Sequence, residues 1–251
     1  MIMKLPEMIV FDYGHTLAYE PDFDLMRGYT ALLPHITKNP DGVTAEQLKD
    51  FGDVIFSLQR EVQKNGFEPH GHQGNRAVFE YFGIELDVDM AEAERIIWDN
   101  TSIGEEMPHT REMLTYLKKL GIRTGVISNI GWSGKALTDR LNRLFPENEF
   151  EFIIASSEYG IRKPDKILFD IALRKAGLTA DKCWFCGDSI GMDIVGAHSA
   201  GMYPVFYDNK TVDYPFGDRN KGLKAEFDHL YIADWQELIA LLKNIKQECV
   251  V

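Results

Sequence analysis

Four consecutive apolar residues, Met8-Ile9-Val10-Phe11, run straight into a carboxylate, Asp12, and two residues later into Gly14. A short unbroken apolar run reads as a strand buried on both faces, the environment of a parallel sheet covered by helices on each side. An acidic residue where such a strand ends lies at the carboxyl edge of the sheet, in the crevice where open α/β sheets bind ligands. Gly14 lets backbone approach a ligand closely there. Taken alone, Asp12 either binds something or merely caps the next turn.

Beyond about residue 107 the chain alternates. Met113, Leu114, Leu117 and Leu120 form a helical stripe closed by Lys118, Lys119 and Gly121. A strand at 123–127 ends at Ser128-Asn129. Helix 134–144, strand 150–155 and helix 164–175 follow, with Pro164 near the first turn of the last. Strand 183–186 ends at Gly187-Asp188. Helix 194–200, strands 203–207 and 230–232, and a helix over 234–243 complete the pattern. Such alternation predicts an α/β fold with a doubly wound parallel sheet.

Residues 18–106 read as polar and helical, with no convincing strand. Thr44 and Gln47 form a capping box ahead of Leu48, Phe51, Ile55, Leu58 and Val62, and Asn65-Gly66 closes that helix. A second helix covers 73–82 and stops at Gly83; Asp89 caps a third that carries Ala93, Ile96 and Ile97. The expected organisation is a core of residues 1–17 and 107–251 with a smaller all-helical unit, 18–106, inserted after the first strand. Hinges are expected near 17–22 and 101–108.

The 251 residues carry a formal net charge of -12, which disfavours nucleic acid and anionic membrane as partners. A phosphorylated small molecule stays open, because a few local donors can hold one. No apolar run approaches the roughly 18 residues that span a bilayer. No small-residue cleavage site precedes the first strand, so no signal peptide is expected. Three cysteines, Cys183, Cys186 and Cys249, fit a reducing, cytoplasmic setting. Cys183-Trp-Phe-Cys186 lies within a strand, not at a helix start where a thiolate would be stabilised, and no second ligand pair suggests zinc.

Four short motifs fall at the carboxyl ends of the strands: Asp12-Tyr-Gly-His-Thr16, Ser128-Asn129, Lys163-Pro164 and Gly187-Asp188-Ser-Ile-Gly-Met-Asp193. In order and spacing they resemble the haloacid dehalogenase superfamily of hydrolases, most of which are Mg-dependent phosphatases with a Rossmann-like core. The resemblance spans the whole chain, including a helical cap between the first and second motifs. It implies that Asp12 is a nucleophile that attacks phosphorus in line and forms an aspartyl-phosphate. It also implies a Mg site built from Asp12, Asp188 and the Gly14 carbonyl, with Asp193 as an outer carboxylate that orients Asp188 or a metal water. Ser128 and the Asn129 backbone N–H would hold phosphate, and Lys163 would stabilise Asp12 and the transferring group. Read by themselves, Ser128 has the lesser alternative of capping the following helix, and Lys163 that of a solvated loop residue. Thr16 is expected to bond local backbone.

One departure outweighs the matches. Phosphatases of the superfamily carry a second Asp two residues after the nucleophile, which protonates the leaving oxygen and then activates water. Here that residue is Gly14. Positioned acid–base catalysis is worth ~10²–10⁴-fold, so alkyl phosphates should react slowly unless another group substitutes. His15, Glu20, His70 and His72 are the candidates, with His70-Gly-His72 expected as an exposed loop. The expected activity is therefore a Mg-dependent hydrolase of a small phosphorylated substrate, working as a monomer or homodimer. The alternatives are a binding or regulatory protein with a decayed site, a dehalogenase, and a phosphonate hydrolase. Metal-free dehalogenases lack the metal carboxylate of the fourth motif, whereas Asp188 and Asp193 are present here. Phosphonate hydrolases need a cap lysine, and Lys38, Lys49 and Lys64 sit in no recognisable pattern for it.

Overall fold

The computed structural model describes residues 4–212 and 219–248, so Cys249 lies outside the described residues. In chain order come β1 (Met8–Phe11), β2 (Ala18–Tyr19), α1 (Leu25–Leu32), β3 (Ile36–Lys38), α2 (Ala45–Gln63), α3 (Gly71–Tyr81), β4 (Glu85–Leu86), α4 (Met90–Thr101) and β5 (Glu105–Glu106). The second part holds α5 (Thr110–Leu120), β6 (Arg123–Ser128), α6 (Gly134–Leu144), β7 (Phe150–Ala155), α7 (Lys166–Ala176), β8 (Cys183–Gly187), α8 (Val195–Ser199), β9 (Tyr203–Tyr207), β10 (Leu230–Ile232) and α9 (Trp235–Glu248).

β1 is the central strand its sequence demands. The six-stranded sheet has the order β10-β9-β8-β1-β6-β7, with every neighbouring pair parallel. Its side chains alternate between two apolar cores. Ile9 and Phe11 join Met113, Leu117, Leu137, Leu141, Trp235 and Leu238 from α5, α6 and α9. Met8 and Val10 join Leu168, Phe169, Ala172 and Ala197 from α7 and α8. Burying such a side chain contributes about 1.5–3 kcal/mol, so the strand that ends at Asp12 is held from both sides. The chain winds outward from β1 in both directions, and the crevice beside β1 and β8 is the switch point where doubly wound sheets bind ligands.

Cys183 packs in one core and Cys186 in the other. Residues three apart on a strand point to opposite faces, so the two thiols cannot pair; both are free and buried. Burial pushes the Cys183 thiol up to about 11 and raises Cys186 as well.

The inserted stretch has its own apolar cluster, with Tyr29, Leu32, Leu48, Val78, Phe79, Ala93, Ile96 and Ile97. The expectation that 18–106 contains no strand is corrected: β3 pairs with β4, and β2 pairs with β5, both antiparallel. These ribbons are two or three residues per strand, too short for a period-two pattern to register. The β2–β5 pair joins the two linkers where hinges were expected. Helix α1 is not among the helices expected within 18–106, and it contains Gly28. That glycine is a contact, not a break: a Cβ there would lie 2.4 Å from Thr101 Oγ1 and 2.6 Å from the Ile97 carbonyl. α7 starts after the N-cap Asp165, so Pro164 precedes the helix and does not occupy its first turn. A π-helical turn at Ile190–Ile194 leads into α8, where a simple helix over 194–200 was expected.

One buried arginine ties residues 18–106 to α6. Arg140 of α6 donates to Glu20 Oε1 at 2.7 Å, to the Ser102 carbonyl at 2.6 Å and to the Trp98 carbonyl at 3.1 Å. Glu20 lies on the first linker, and Trp98 and Ser102 end α4 before the second. The guanidinium also lies 3.8 Å over the Trp98 ring, which stacks on Trp132 at 5.0 Å. Breaking a buried pair by removing one partner costs about 3–5 kcal/mol, whereas an exposed pair is worth less than about 1. Arg140→Ala should therefore lower unfolding free energy in urea by about 3–5 kcal/mol. Lys135→Ala, which removes the exposed Lys135–Asp139 pair on the same helix, should stay within about 0.5 kcal/mol of the parent.

Candidate active site

The loops after β1, β6, β7 and β8 converge at the carboxyl edge of the sheet. Asp12 directly follows β1, and its N–H donates to the Cys186 carbonyl at 2.9 Å, which fixes it against β8. Lys163 is 1% exposed, so the reading of it as a solvated loop residue is overturned. Its Nζ donates to Asp12 Oδ1 and Asp193 Oδ1, both at 2.6 Å, and to the Ile127 carbonyl at 2.9 Å. An ammonium has three donors, and all three are used by protein.

Asn129 holds that lysine in place. Its Oδ1 accepts from the Lys163 N–H at 2.7 Å, and its Nδ2 donates to the Lys163 carbonyl at 2.9 Å. The sequence pattern assigned only the Asn129 backbone to the site; the side-chain clasp across 34 residues had no local signal. Ser128 ends β6 and is buried. It does not cap the following helix: Ser133 does, accepting from Ala136 N at 3.1 Å. Thr16 is buried, but its hydroxyl has no partner among the described residues, against the expectation of a local backbone bond.

Asp12, Asp188 and Asp193 each offer an oxygen within 4.8 Å of the others, and all three are buried or nearly so. Buried hard-oxygen donors that close together suit a Mg-like cation, so the residues fit the group that the motifs imply. Their parts differ. Asp193 engages both oxygens, Oδ1 with Lys163 and Oδ2 with the Ser189 N–H at 2.9 Å. It approaches closely because residue 187 is glycine: a Cβ there would lie 2.4 Å from the Asp193 Cγ. Asp188 Oδ1 accepts from Arg219 Nη1 at 3.1 Å. Burial raises the pKa of Asp188 well above the carboxylate range; Arg219 opposes this, and the charges of Asp12 and Asp193 reinforce it. Burial raises Asp193 too, against the pull of Lys163. Burial also works against the Lys163 ammonium, but Asp12 and Asp193 together outweigh it and hold its pKa above the ordinary lysine value.

Arg219 and Asn220 lie outside every motif, between β9 and β10, where no local pattern marks them. Asn220 Nδ2 donates to the Asp188 carbonyl at 2.8 Å, and its Oδ1 accepts from Ile190 N at 2.8 Å.

Gly14 has no positive φ, and a Cβ built on it meets nothing within 4 Å. Neither backbone nor space demands a glycine there. His15 beside it has φ 57, and burial, then the Arg219 charge, lower its pKa to about 4. A neutral imidazole can accept a proton near pH 7 but has little imidazolium to donate. The other candidates are engaged elsewhere. Glu20 accepts from Trp98 Nε1 and Arg140. His70 caps α3, and His72 Nε2 lies 3.0 Å from Glu94 Oε2, so 70–72 is a helix start and not an exposed loop. Glu94 also takes the Ser133 N–H at 2.8 Å and the Ser133 hydroxyl, and Gly71 N donates to the Gly131 carbonyl at 2.6 Å. The insert thus docks on the loop that leaves Ser128-Asn129.

Comparison with known proteins agrees with this architecture. A model of the haloacid dehalogenase-like hydrolase family matches residues 54–206. The glyceraldehyde 3-phosphate phosphatase of Methanocaldococcus jannaschii is 31% identical over 201 residues, 79% of this chain and 83% of that one. Its counterpart in Methanothermobacter thermautotrophicus is 32% identical, over 76% of this chain and 82% of its own. The pyrimidine 5'-nucleotidase YjjG of Escherichia coli is 29% identical, over 63% of this chain and 69% of its own. Among solved structures, a phosphatase of the superfamily from Thermococcus onnurineus aligns with TM-score 0.60 at 20% identity, covering 96% of this chain and 98% of that one. A 2-haloacid dehalogenase from Pseudomonas syringae aligns with TM-score 0.57 at 22% identity, covering 96% and 99%. The chain belongs to the haloacid dehalogenase-like hydrolase family. It is an enzyme of the hydrolase class with the doubly wound α/β fold of that family.

Raised carboxylate pKa values mean that ionised Asp188 is disfavoured in the metal-free fold. Asp188→Asn should accordingly raise metal-free stability by about 1 kcal/mol, read by urea unfolding in EDTA, while removing any stabilisation that added Mg gives the parent.

Proposed function

We propose that the protein is a Mg-dependent phosphatase of small phosphorylated molecules that works through a phosphorylated Asp12. The observation that carries this reading is the buried lysine shared by Asp12 and Asp193, with Asp188 close by, at the switch point of the sheet. The named activities of the phosphatase relatives support it.

Asp12 and Asp188, with the Gly14 carbonyl, would hold the metal, and Asp193 would order the loop around them. Bound there, Mg would offset the repulsion between an anionic nucleophile and an anionic phosphate. The Asp12 carboxylate attacks phosphorus, the bond to the leaving oxygen breaks, and an aspartyl-phosphate forms. Ser128 and the Asn129 N–H bind the phosphoryl oxygens, and Lys163, through its hydrogen bond to Oδ1, keeps Asp12 aimed. Water then hydrolyses the acyl phosphate, releasing inorganic phosphate and restoring Asp12. His15, neutral above its lowered pKa of about 4, is suited to accept the proton of that water. No side chain at Gly14 protonates the leaving oxygen, so leaving groups that depart as stable anions are favoured. Residues 18–106 act as a cap, hinged at the β2–β5 ribbon, and the buried free thiols suit a reducing cytoplasm.

Turnover of p-nitrophenyl phosphate should require added Mg and fall at least ~10³-fold in Asp12→Asn. Mg bound at 100 times its Kd should stabilise the fold by about 2.7 kcal/mol. Binding of Mg and a phosphate mimic with no multiple turnover would favour a regulatory protein with a decayed site. Because Gly14 is open, Gly14→Asp should fold normally. It should raise glycerol 3-phosphate hydrolysis by ~10–100-fold, with a far smaller effect on p-nitrophenyl phosphate. Equal effects on both substrates would show that leaving-group protonation is not what this site lacks.

A further inference from the structure

We propose that Arg219 binds a second anionic group, so that the preferred substrate is a small molecule with a carboxylate or second phosphate near the phosphoryl group that is removed. The inference rests on the phosphatase reading above and adds the substrate's charge. It starts from the donors. Lys163 has its three N–H groups on Asp12, Asp193 and the Ile127 carbonyl and is 1% exposed. It can set the charge of the site but has no donor left for the rest of a ligand. Arg219 is the other cation on the carboxylate cluster among the described residues. Its side chain is 29% exposed, against 1% for Lys163, so it lies at the solvent side of the cluster, within reach of a ligand.

Two features fit Arg219 to a ligand rather than to the fold. Its backbone is fixed to the catalytic loop by its neighbour: the Asn220 side chain spans the Asp188 carbonyl and the Ile190 N–H, both at 2.8 Å. A long side chain on a pinned base can swing its head without moving the loop. The planar guanidinium also matches carboxylate and phosphate oxygens in pairs. Asp188, which accepts from it, is also a carboxylate that a divalent ion would use, so metal binding would loosen this pair. Gly14 works in the same direction. An Asp there would add a negative charge to the crevice, whereas Gly14 leaves open space around its Cβ position. The crevice therefore has one carboxylate fewer than the superfamily's phosphatases, and Arg219 adds a cation at its rim. That balance favours a ligand with more negative charge than a simple monoester.

The test is calorimetric binding in excess Mg of methylphosphonate, phosphonoacetate and 3-phosphonopropionate, none of which has a scissile phosphate ester. The carboxylated probe of the better-fitting length should bind the parent at least ~10-fold more tightly than methylphosphonate, as a charge-assisted hydrogen bond allows. Arg219→Ala should abolish that advantage, and Arg219→Lys should keep part of it, with melting curves checking that each variant folds. Equal affinities in the parent, no binding of any probe, or an advantage that survives Arg219→Ala would overturn the proposal. Turnover of p-nitrophenyl phosphate by the parent, measured alongside, reports on the phosphatase reading separately.

Discussion

A single ammonium group holds the site together. Lys163 sits between Asp12 and Asp193, out of water, with its remaining proton on a β6 carbonyl. Burying three carboxylates within 4.8 Å of one another is unfavourable unless cations stand among them. Lys163 supplies the first, from β7's loop to β1's and β8's. Arg219 supplies a second at Asp188. A divalent ion would complete the compensation and turn an excess of negative charge into a place for phosphate.

The rest of the fold exists to keep those groups in register. β1 is clamped between two cores and between β6 and β8, so Asp12 emerges at a fixed point. Gly187 is small so that Asp193 can fold back over it, and the Asn129 amide grips both backbone groups of Lys163. The inserted helices are attached at two places: Arg140 near the linkers, and the Glu94 contacts with Ser133. Both contacts bear on the loop or helix that follows β6.

Much of this was legible in the residues. The apolar run before Asp12, the alternation after residue 107 and the four motifs give the sheet, its order of elements and the residues that gather at its edge. What escaped has a common cause: the signal was not local. The role of Gly28 shows only once α4 is packed against it. The ribbons β2–β5 and β3–β4 are shorter than any periodicity. Arg219 reaches Asp188 across 31 residues, and Glu94 reaches Ser133 across 39. His70 and His72 looked like a polar loop because a histidine N-cap lacks the usual Ser, Thr, Asp or Asn signature.

The claim that Asp12 becomes phosphorylated can be tested at the atom concerned. Turnover of acetyl phosphate with Mg would be quenched in acid, reduced with borohydride and mapped by peptide mass spectrometry. An acyl phosphate is reduced to the alcohol, so the account predicts homoserine at position 12, absent without substrate and absent in Lys163→Met. Rapid turnover with position 12 unmodified, or modification at a different carboxylate, would contradict it.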